Sequence, residues 1–261
     1  MDIKRAEDLK KFYLQKFLAL DTAEKNKAYY QQSYPENLLH KTWCEEIATL
    51  PLAEQCLQLD ITHEKLDLPF GKKPEIDGLN HFLTQGFVGA YCEGGPVLLL
   101  VRAAALDVLA EINFFGRRDA CTRFTEAQLT IYKESSELIL NAVRNADIAQ
   151  VESQFKEIYM FPQTREYYPG LTTAIMSSLF AAIGAERLAQ ITAAIMENPY
   201  VYRAGWPDLT MVKGGANMLW VEIKTTDRLH ISQIMTIFRM KPLVPGNMRV
   251  VQITKPRPQR H

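Results

Sequence analysis

The segments Gly205-Trp206-Pro207-Asp208-Leu209 and Val221-Glu222-Ile223-Lys224, the second following the first after a Gly-Gly turn, decide the fold of this chain. Residues 209–212 and 218–223 are short apolar runs, and residues 213–217 between them have the composition of a hairpin turn. Two paired strands are therefore predicted, with Asp208 at the start of the first. Because alternate side chains of a strand share one face, we expect Glu222 and Lys224 to point the same way.

This pattern places two carboxylates and an amine on one surface. Two carboxylates that converge with a backbone carbonyl make an all-oxygen site suited to Mg²⁺ or Mn²⁺. Asp208 and Glu222 are the predicted metal ligands, and Ile223 could lend the carbonyl. Lys224 would orient a metal-activated water and offset charge on a phosphoryl group, which indicates phosphodiester hydrolysis. Pro-Asp alone is a frequent turn dipeptide and Glu-x-Lys is ordinary on an exposed strand, so the interpretation depends on the combination.

The combination resembles a known nuclease signature. Pro207-Asp208 followed by Glu222-x-Lys224 is similar to the motif of the PD-(D/E)xK nucleases, and the longer string from Arg203 to Gln233 resembles their VRR-NUC branch. Within that branch the likeness is to the catalytic end of the Fanconi-associated nucleases. Residues 86–95 resemble the segment that carries the first acidic residue of that family, which maps to Glu93. The resemblance covers roughly residues 82–256.

The resemblance implies an α/β fold, a restriction-endonuclease-like mixed sheet flanked by helices. The pattern of apolar and charged residues over residues 2–60 adds a helical N-terminal cap. The resemblance also implies that Glu93 is a further catalytic residue and metal ligand, directly or through water, and that Gln233 supports the site. We expect Gln233 to lie on a helix that begins at Thr226 or Asp227. From the residues alone, Glu93 could be a loop residue and Gln233 a surface glutamine.

A segment rich in proline and glycine predicts the domain limits. Residues 68–74 contain two prolines and a glycine, which are poorly tolerated inside helices and central strands. We therefore predict a helical N-terminal region over residues 1–80 and the VRR-NUC nuclease domain over residues 81–261, although the first part could be a helical layer of one continuous domain. The apolar run 96–110 contains charged residues and is shorter than the roughly 20 residues that cross a bilayer, so a buried helix and no membrane partner are expected.

The charge distribution favours DNA as the partner. The formal net charge is zero, but from residue 201 onward ten Lys and Arg stand against three Asp and Glu. A basic segment around the proposed site suits a polyanion, because each neutralised phosphate releases counterions. Arg203 and Arg228 lie beside the motif and are candidates for DNA contact. A basic tail that aids solubility would explain the last arginines of the chain but not these two.

The predicted function is a metal-dependent DNA nuclease, structure-specific and acting in DNA repair. One alternative of the same family is an antibacterial DNase toxin, whose partner would be an immunity protein; another class is a catalytically inactive DNA-binding module. A third role, an interaction protein whose acidic residues 1–200 bind a basic partner, could coexist with either. Four scattered cysteines make structural zinc and disulfides unexpected, and the first residues do not form an apolar signal segment. A cytoplasmic location is expected, or delivery to a target-cell cytoplasm for a toxin.

Overall fold

The architecture is that of a computed structural model, which describes residues 3–20 and 40–255. Residues 1–2 and 21–39, which belong to the predicted helical N-terminal region, and residues 256–261 lie outside the described part. The strands are β1 (Thr62–Asp67), β2 (Val88–Tyr91), β3 (Leu209–Lys213), β4 (Asn217–Lys224) and β5 (Asn247–Thr254). The helices are α1 (Ile3–Ala19), α2 (Lys41–Thr49), α3 (Leu52–Gln58), α4 (Pro74–Thr84), α5 (Gly95–Ile112), α6 (Arg117–Thr122), α7 (Thr125–Ile131), α8 (Ser136–Arg144), α9 (Ile148–Tyr159), α10 (Pro162–Tyr167), α11 (Thr173–Ile183), α12 (Ala185–Glu197), α13 (Pro199–Tyr202) and α14 (Ile231–Met240).

The five strands form one mixed sheet in the order β1-β5-β4-β3-β2. β5 runs parallel to both β1 and β4, whereas β3 is antiparallel to β4 and β2. The prediction of a mixed sheet flanked by helices, with a helix at the N-terminus, is confirmed. The predicted hairpin is confirmed as β3 and β4, which join at a turn where Gly214 and Gly215 have φ values of 60° and 76°. Glycine adopts these values without the steric cost of a Cβ, so the turn sets the pairing register.

The chain divides into two compact units. We call residues 35–96, 170–183 and 204–261 the sheet unit, and residues 1–34, 97–169 and 184–203 the helical unit. Most of the helical unit is thus inserted in the sequence between β2 and β3. This division differs from the predicted one at residue 80, which stays a prediction about domains. The N-terminal region, expected to be helical, also contributes β1 and the start of α4 to the sheet unit, because β1 pairs with the distant β5.

One face of the sheet is an apolar layer against α4. Its buried side chains are Phe82, Leu209, Met211, Leu219, Val221, Ile223, Val251 and Ile253. α4 approaches β4 closely at Gly78, where an added Cβ would lie 2.8 Å from the Ile223 side chain. A larger residue there would require the Ile223 side chain to shift, so this glycine lets α4 pack directly on that side chain.

The helical unit is built around α5, whose side chains from Val97 to Leu106 are buried, the charged Arg102 among them. The predicted buried helix over residues 96–110 is confirmed and extends one residue earlier and two later. A helix that is apolar all round belongs inside a protein or a membrane. In the described part of the chain, no single helix has the length and apolarity to span a bilayer, although α11 and α12 would pass as a consecutive pair on length and composition.

Candidate active site

The carboxylates of Asp208 and Glu222 are brought together by the register of the hairpin. Leu209 pairs with Val221 in the antiparallel ladder, so Asp208, one residue before β3, stands opposite Glu222. Asp208 Oδ2 accepts a hydrogen bond of 2.8 Å from the backbone N–H of Ile223. We refer to Asp208 and Glu222 as the carboxylate pair.

Glu222 is held by two donors on the same oxygen. The Lys224 amine lies 2.9 Å from Glu222 Oε1, and Gln233 Nε2 donates to that atom at 2.5 Å. The side chains of Glu222 and Lys224 are only 2% and 5% exposed. Asp227, which is half exposed, accepts a second bond from Lys224 at 3.3 Å. The other Glu222 oxygen, Oε2, is buried and has no hydrogen-bond partner among the residues that the structure describes.

Gln233 reaches Glu222 from the first turn of α14. The prediction that this helix begins at Thr226 or Asp227 is wrong, since it begins at Ile231. The backbone N–H of Leu229 donates to Gln55 Oε1 at 2.8 Å, and its carbonyl accepts from Gln55 Nε2 at 3.2 Å. These long-range bonds satisfy the backbone N–H and C=O of Leu229 outside a helix.

The start of α14 fixes the orientation of the Gln233 side chain. Gln233 Oε1 accepts a 2.9 Å bond from the backbone N–H of His230, which forms half of a capping box, while Nε2 of the same amide bonds to Glu222. One amide therefore joins the helix cap to the carboxylate pair. Gly205 permits this approach, because a Cβ there would lie 2.0 Å from the backbone oxygen of Ser232.

Burial and mutual repulsion make the carboxylate pair unfavourable in its charged form. Burial, and secondly the charge of Glu222, raise the pKa of Asp208 to about 8, while the Ile223 N–H and Lys224 act in the opposite direction. Burial also raises the pKa of Glu222 against the effect of Lys224 and Gln233. Burial alone would lower the pKa of Lys224, but Glu222 and Asp227 outweigh it and raise that pKa. Lys224 therefore keeps its positive charge, and it is a single cation beside the two acids of the carboxylate pair.

Glu93 lies on the turn that follows β2. Its φ is +45°, an uncommon conformation for a residue with a side chain, and its side chain is exposed. The turn is tied to the hairpin by the Cys92 backbone N–H, which donates to the Asp208 carbonyl at 3.3 Å. The charge of Glu93 contributes to raising the pKa of Glu222, so the two carboxylates are within electrostatic range. Its direct metal ligation stays a prediction.

Glu75 is an acidic residue near the site that the sequence analysis did not identify. It is the second residue of α4, which contacts β2 and β4. Its charge helps to raise the pKa of Asp208, and it follows burial as the second cause of the raised pKa of Tyr91. An acid in the first turn of a helix is ordinary, so nothing in the sequence marked it.

The two arginines predicted to contact DNA both have partners within the protein. Arg203 belongs to the helical unit, where it forms an ion pair of 3.1 Å with the buried Glu126 and lies over the Tyr200 ring. Arg228 is exposed in the sheet unit and donates to the backbone carbonyl of Thr49. DNA contact by either residue stays a prediction.

The donor set at the end of β4 fits a hard divalent cation. Among the described residues no group of three or more His, Cys, Asp or Glu side chains is arranged to hold a metal ion, so the fit rests on the carboxylate pair and the backbone. Glu222 Oε2 is a buried acceptor without a partner, and a bound cation would supply one. The N–H and C=O of a strand residue point to the same side, so the Ile223 carbonyl faces the side on which its N–H meets Asp208.

No protein-family model and no curated protein matches this chain. Solved structures of a DNA-bound protein do match it. A crystal structure of paFAN1 bound to 2-nucleotide 5′-flap DNA with a gap superposes with a TM-score of 0.56 at 15% identity, over 97% of this chain and 55% of that chain. A second, bound to 1-nucleotide 5′-flap DNA with a gap, gives a TM-score of 0.52 at 15% identity, over 96% of this chain and 55% of that chain. The chain therefore spans 55% of the length of these structures and has the α/β fold of that part of them.

Proposed function

We propose that this protein hydrolyses DNA phosphodiester bonds with the help of a divalent metal ion, Mg²⁺ or Mn²⁺. The observation that carries the proposal is the meeting of Asp208, Glu222 and Lys224 at one strand end, with the amine 2.9 Å from Glu222 and an unpartnered buried carboxylate oxygen beside it. An ordinary structural ion pair would not require a second, half-buried carboxylate directly opposite the first.

In this proposal each residue has one task. Asp208, Glu222 and the Ile223 carbonyl hold the ion, and Glu93 adds a ligand directly or through water. When bound, Mg²⁺ or Mn²⁺ supplies Lewis-acid polarisation of a phosphoryl oxygen and a coordinated water of lowered pKa. Lys224 orients the attacking water and offsets the charge that develops on the phosphoryl oxygens.

Gln233 has a positioning role in the proposal. Its amide bonds both to the helix cap and to Glu222, which holds that carboxylate in one orientation. Groups that orient metal ligands typically change metal affinity about 10- to 100-fold when they are removed. We therefore place Gln233 next to the ligands rather than among them.

DNA is the proposed polymer for two reasons. Residues 201–261 carry a net charge of +7, and residues 1–200 carry the balancing −7, so the charge that suits phosphates is concentrated in the part of the sequence that contains the motif. The matched paFAN1 structures hold 5′-flap DNA with a gap. Gapped 5′-flap DNA is therefore the first structured substrate to test, beside linear and single-stranded DNA.

The test is cleavage of these DNAs by purified protein in Mg²⁺, Mn²⁺ or EDTA. Glu222→Gln and Lys224→Met should each lower the rate about 100-fold or more, because each removes a group that acts in the transition state. The matched control is Glu54→Gln, the same chemical change at an exposed position of the sheet unit, which should leave the rate unchanged. Titration with Mn²⁺ in a calorimeter should show binding to Glu54→Gln and weakened binding to Glu222→Gln.

Two results would contradict the proposal. Cleavage that persists in EDTA, or that survives both Glu222→Gln and Lys224→Met, would exclude this site as the catalytic centre. Salt-sensitive DNA binding by the unmodified protein, without cleavage of any substrate, would instead favour the catalytically inactive DNA-binding module.

A further inference from the structure

The helical unit contains a buried cation that the proposed nuclease reaction does not use. Arg102 lies in the middle of α5 and is 2% exposed. Its guanidinium donates to Thr125 Oγ1 at 3.2 Å and to the Cys121 carbonyl at 2.9 Å. A guanidinium has five N–H donors and keeps its charge in proteins, so these two bonds leave most of its donors available for another acceptor.

The charge of Arg102 is not balanced by a carboxylate of its own. The nearby acid, Glu126, is buried and forms its ion pair with Arg203 at 3.1 Å. Among the described residues no ion pair joins Arg102 to an acid. Burial lowers the pKa of Arg102, and Tyr168 and then Glu126 act only partly against it. Glu126 therefore pairs with the one-third exposed Arg203, and the positive charge of the buried Arg102 is left in excess, without an acid in direct contact.

Arg102 faces a cavity of about 120 Å³. Polar side chains that also line it are Thr122, Gln163 and Thr164. Arg102 and Thr164 are buried at its inner end, whereas Gln163 and Tyr167 are exposed and form its mouth. A space of this size has room for a small tetrahedral oxyanion beside the guanidinium.

We propose that this cavity, the Arg102 pocket, binds a tetrahedral oxyanion, either inorganic phosphate or the terminal phosphate of a small phosphomonoester. A planar guanidinium with free donors matches two phosphate oxygens at once, and the Thr164 hydroxyl and the Gln163 amide can donate to the others. The bound anion would also neutralise the excess positive charge. The proposal concerns the helical unit alone and does not depend on the nuclease reaction.

Binding is measured by calorimetry with inorganic phosphate at constant ionic strength set by chloride, so that general screening does not change. The unmodified protein should bind phosphate with a millimolar or smaller Kd. Arg102→Met should weaken binding at least tenfold. Arg118→Met makes the same change at an exposed arginine of the helical unit and should leave the Kd within twofold. No binding by the unmodified protein, or equal weakening by both variants, would overturn the proposal.

Because Arg102→Met removes a buried residue, a second variant tests the pocket without that risk to folding. Gln163→Met changes an exposed residue at the mouth and should weaken phosphate binding about three- to tenfold if the amide contributes one hydrogen bond. An unchanged Kd in Gln163→Met together with an unfolded Arg102→Met would count against the proposal.

A comparison of inorganic phosphate, glycerol 3-phosphate and acetate then distinguishes the possible ligands of the Arg102 pocket. Binding of inorganic phosphate in preference to glycerol 3-phosphate would identify the free anion, and the reverse preference would identify a phosphomonoester. Acetate that binds as tightly as phosphate would overturn the assignment to a tetrahedral oxyanion.

Discussion

Replacing Asp208 with asparagine removes the half-buried one of two neighbouring carboxylates, while keeping the size of the side chain. The amide oxygen of asparagine can still accept the 2.8 Å bond from the Ile223 N–H. What disappears is the charge that burial and Glu222 both disfavour. We therefore expect Asp208→Asn to stabilise the metal-free protein and to remove its metal-dependent activity, a common trade-off at catalytic sites.

The magnitude follows from the pKa of Asp208, which rises from an ordinary value of 3.8 to about 8. At pH 7 this corresponds to an unfavourable contribution of roughly 4 kcal/mol to the free energy of folding, at about 1.4 kcal/mol for each pH unit above 3.8. An amide also loses water when it is buried, so we expect the variant to recover about half, ~2 kcal/mol.

The raised pKa of Asp208 also fixes the direction in which the stability of the protein changes with pH. A raised pKa means that the folded state holds more protons than the unfolded state between pH 3.8 and about 8. Stability from this group is therefore complete below pH 3.8 and is lost as the pH rises toward 8, by up to about 1.4 kcal/mol per pH unit. Asp208→Asn should make the profile flatter across this window.

The assay is urea unfolding at pH 5, 7 and 8 in EDTA, with Glu54→Gln as the exposed control. Repeating it with Mn²⁺ should stabilise the unmodified protein and not Asp208→Asn, because only binding to the folded state stabilises. If Asp208→Asn destabilises the protein at pH 7 in EDTA, or leaves its pH profile unchanged, the argument from burial and repulsion is refuted.

Three further changes test the supports of the site. Gly205→Ala should cost about 2–4 kcal/mol in urea unfolding, because at φ +77° its Cβ would lie 2.0 Å from the α14 backbone. The control is Gly214→Ala, which has φ +60° and open space around it and should cost ~1 kcal/mol. Equal losses of stability in the two variants would disprove the packing argument. Gln233→Met should weaken Mn²⁺ binding about tenfold in calorimetry. It should also cost about 1–3 kcal/mol of metal-free stability, because the His230 N–H and Glu222 lose their partner; unchanged affinity would remove its positioning role. Glu75→Gln should lower the pKa of Asp208 in an NMR titration, and an unmoved pKa would show that Glu75 has no influence there.

The hairpin could be predicted because its information is local. The strands β3 and β4 are joined by a short glycine turn, and the turn sets the register that places Asp208 opposite Glu222. The alternation of side chains along β4 then puts Lys224 on the side of Glu222, and the two do form an ion pair.

The structure departs from the local sequence pattern where distant residues pair with the backbone. α14 begins only at Ile231, and the backbone of Leu229 ahead of it is bound instead by Gln55, far away in sequence. β1 lies within the predicted helical region because its pairing partner is β5, near the other end of the chain. Neither partner can be recognised from the local pattern, because each contact joins segments that are far apart in the sequence.

The sequence by itself determined the hairpin, the buried helix α5 and the placement of two acids and a lysine on one strand end, since short-range spacing and side-chain alternation set all three. Only the tertiary structure decided that Glu222 and Lys224 are buried and Asp208 half-buried, that Glu75 lies within electrostatic range and that Gln233 bonds to Glu222 from a helix cap. The same holds for the buried Arg102 and its cavity. Burial and electrostatics depend on which distant segments pack around a group, and packing is a property of the folded chain as a whole.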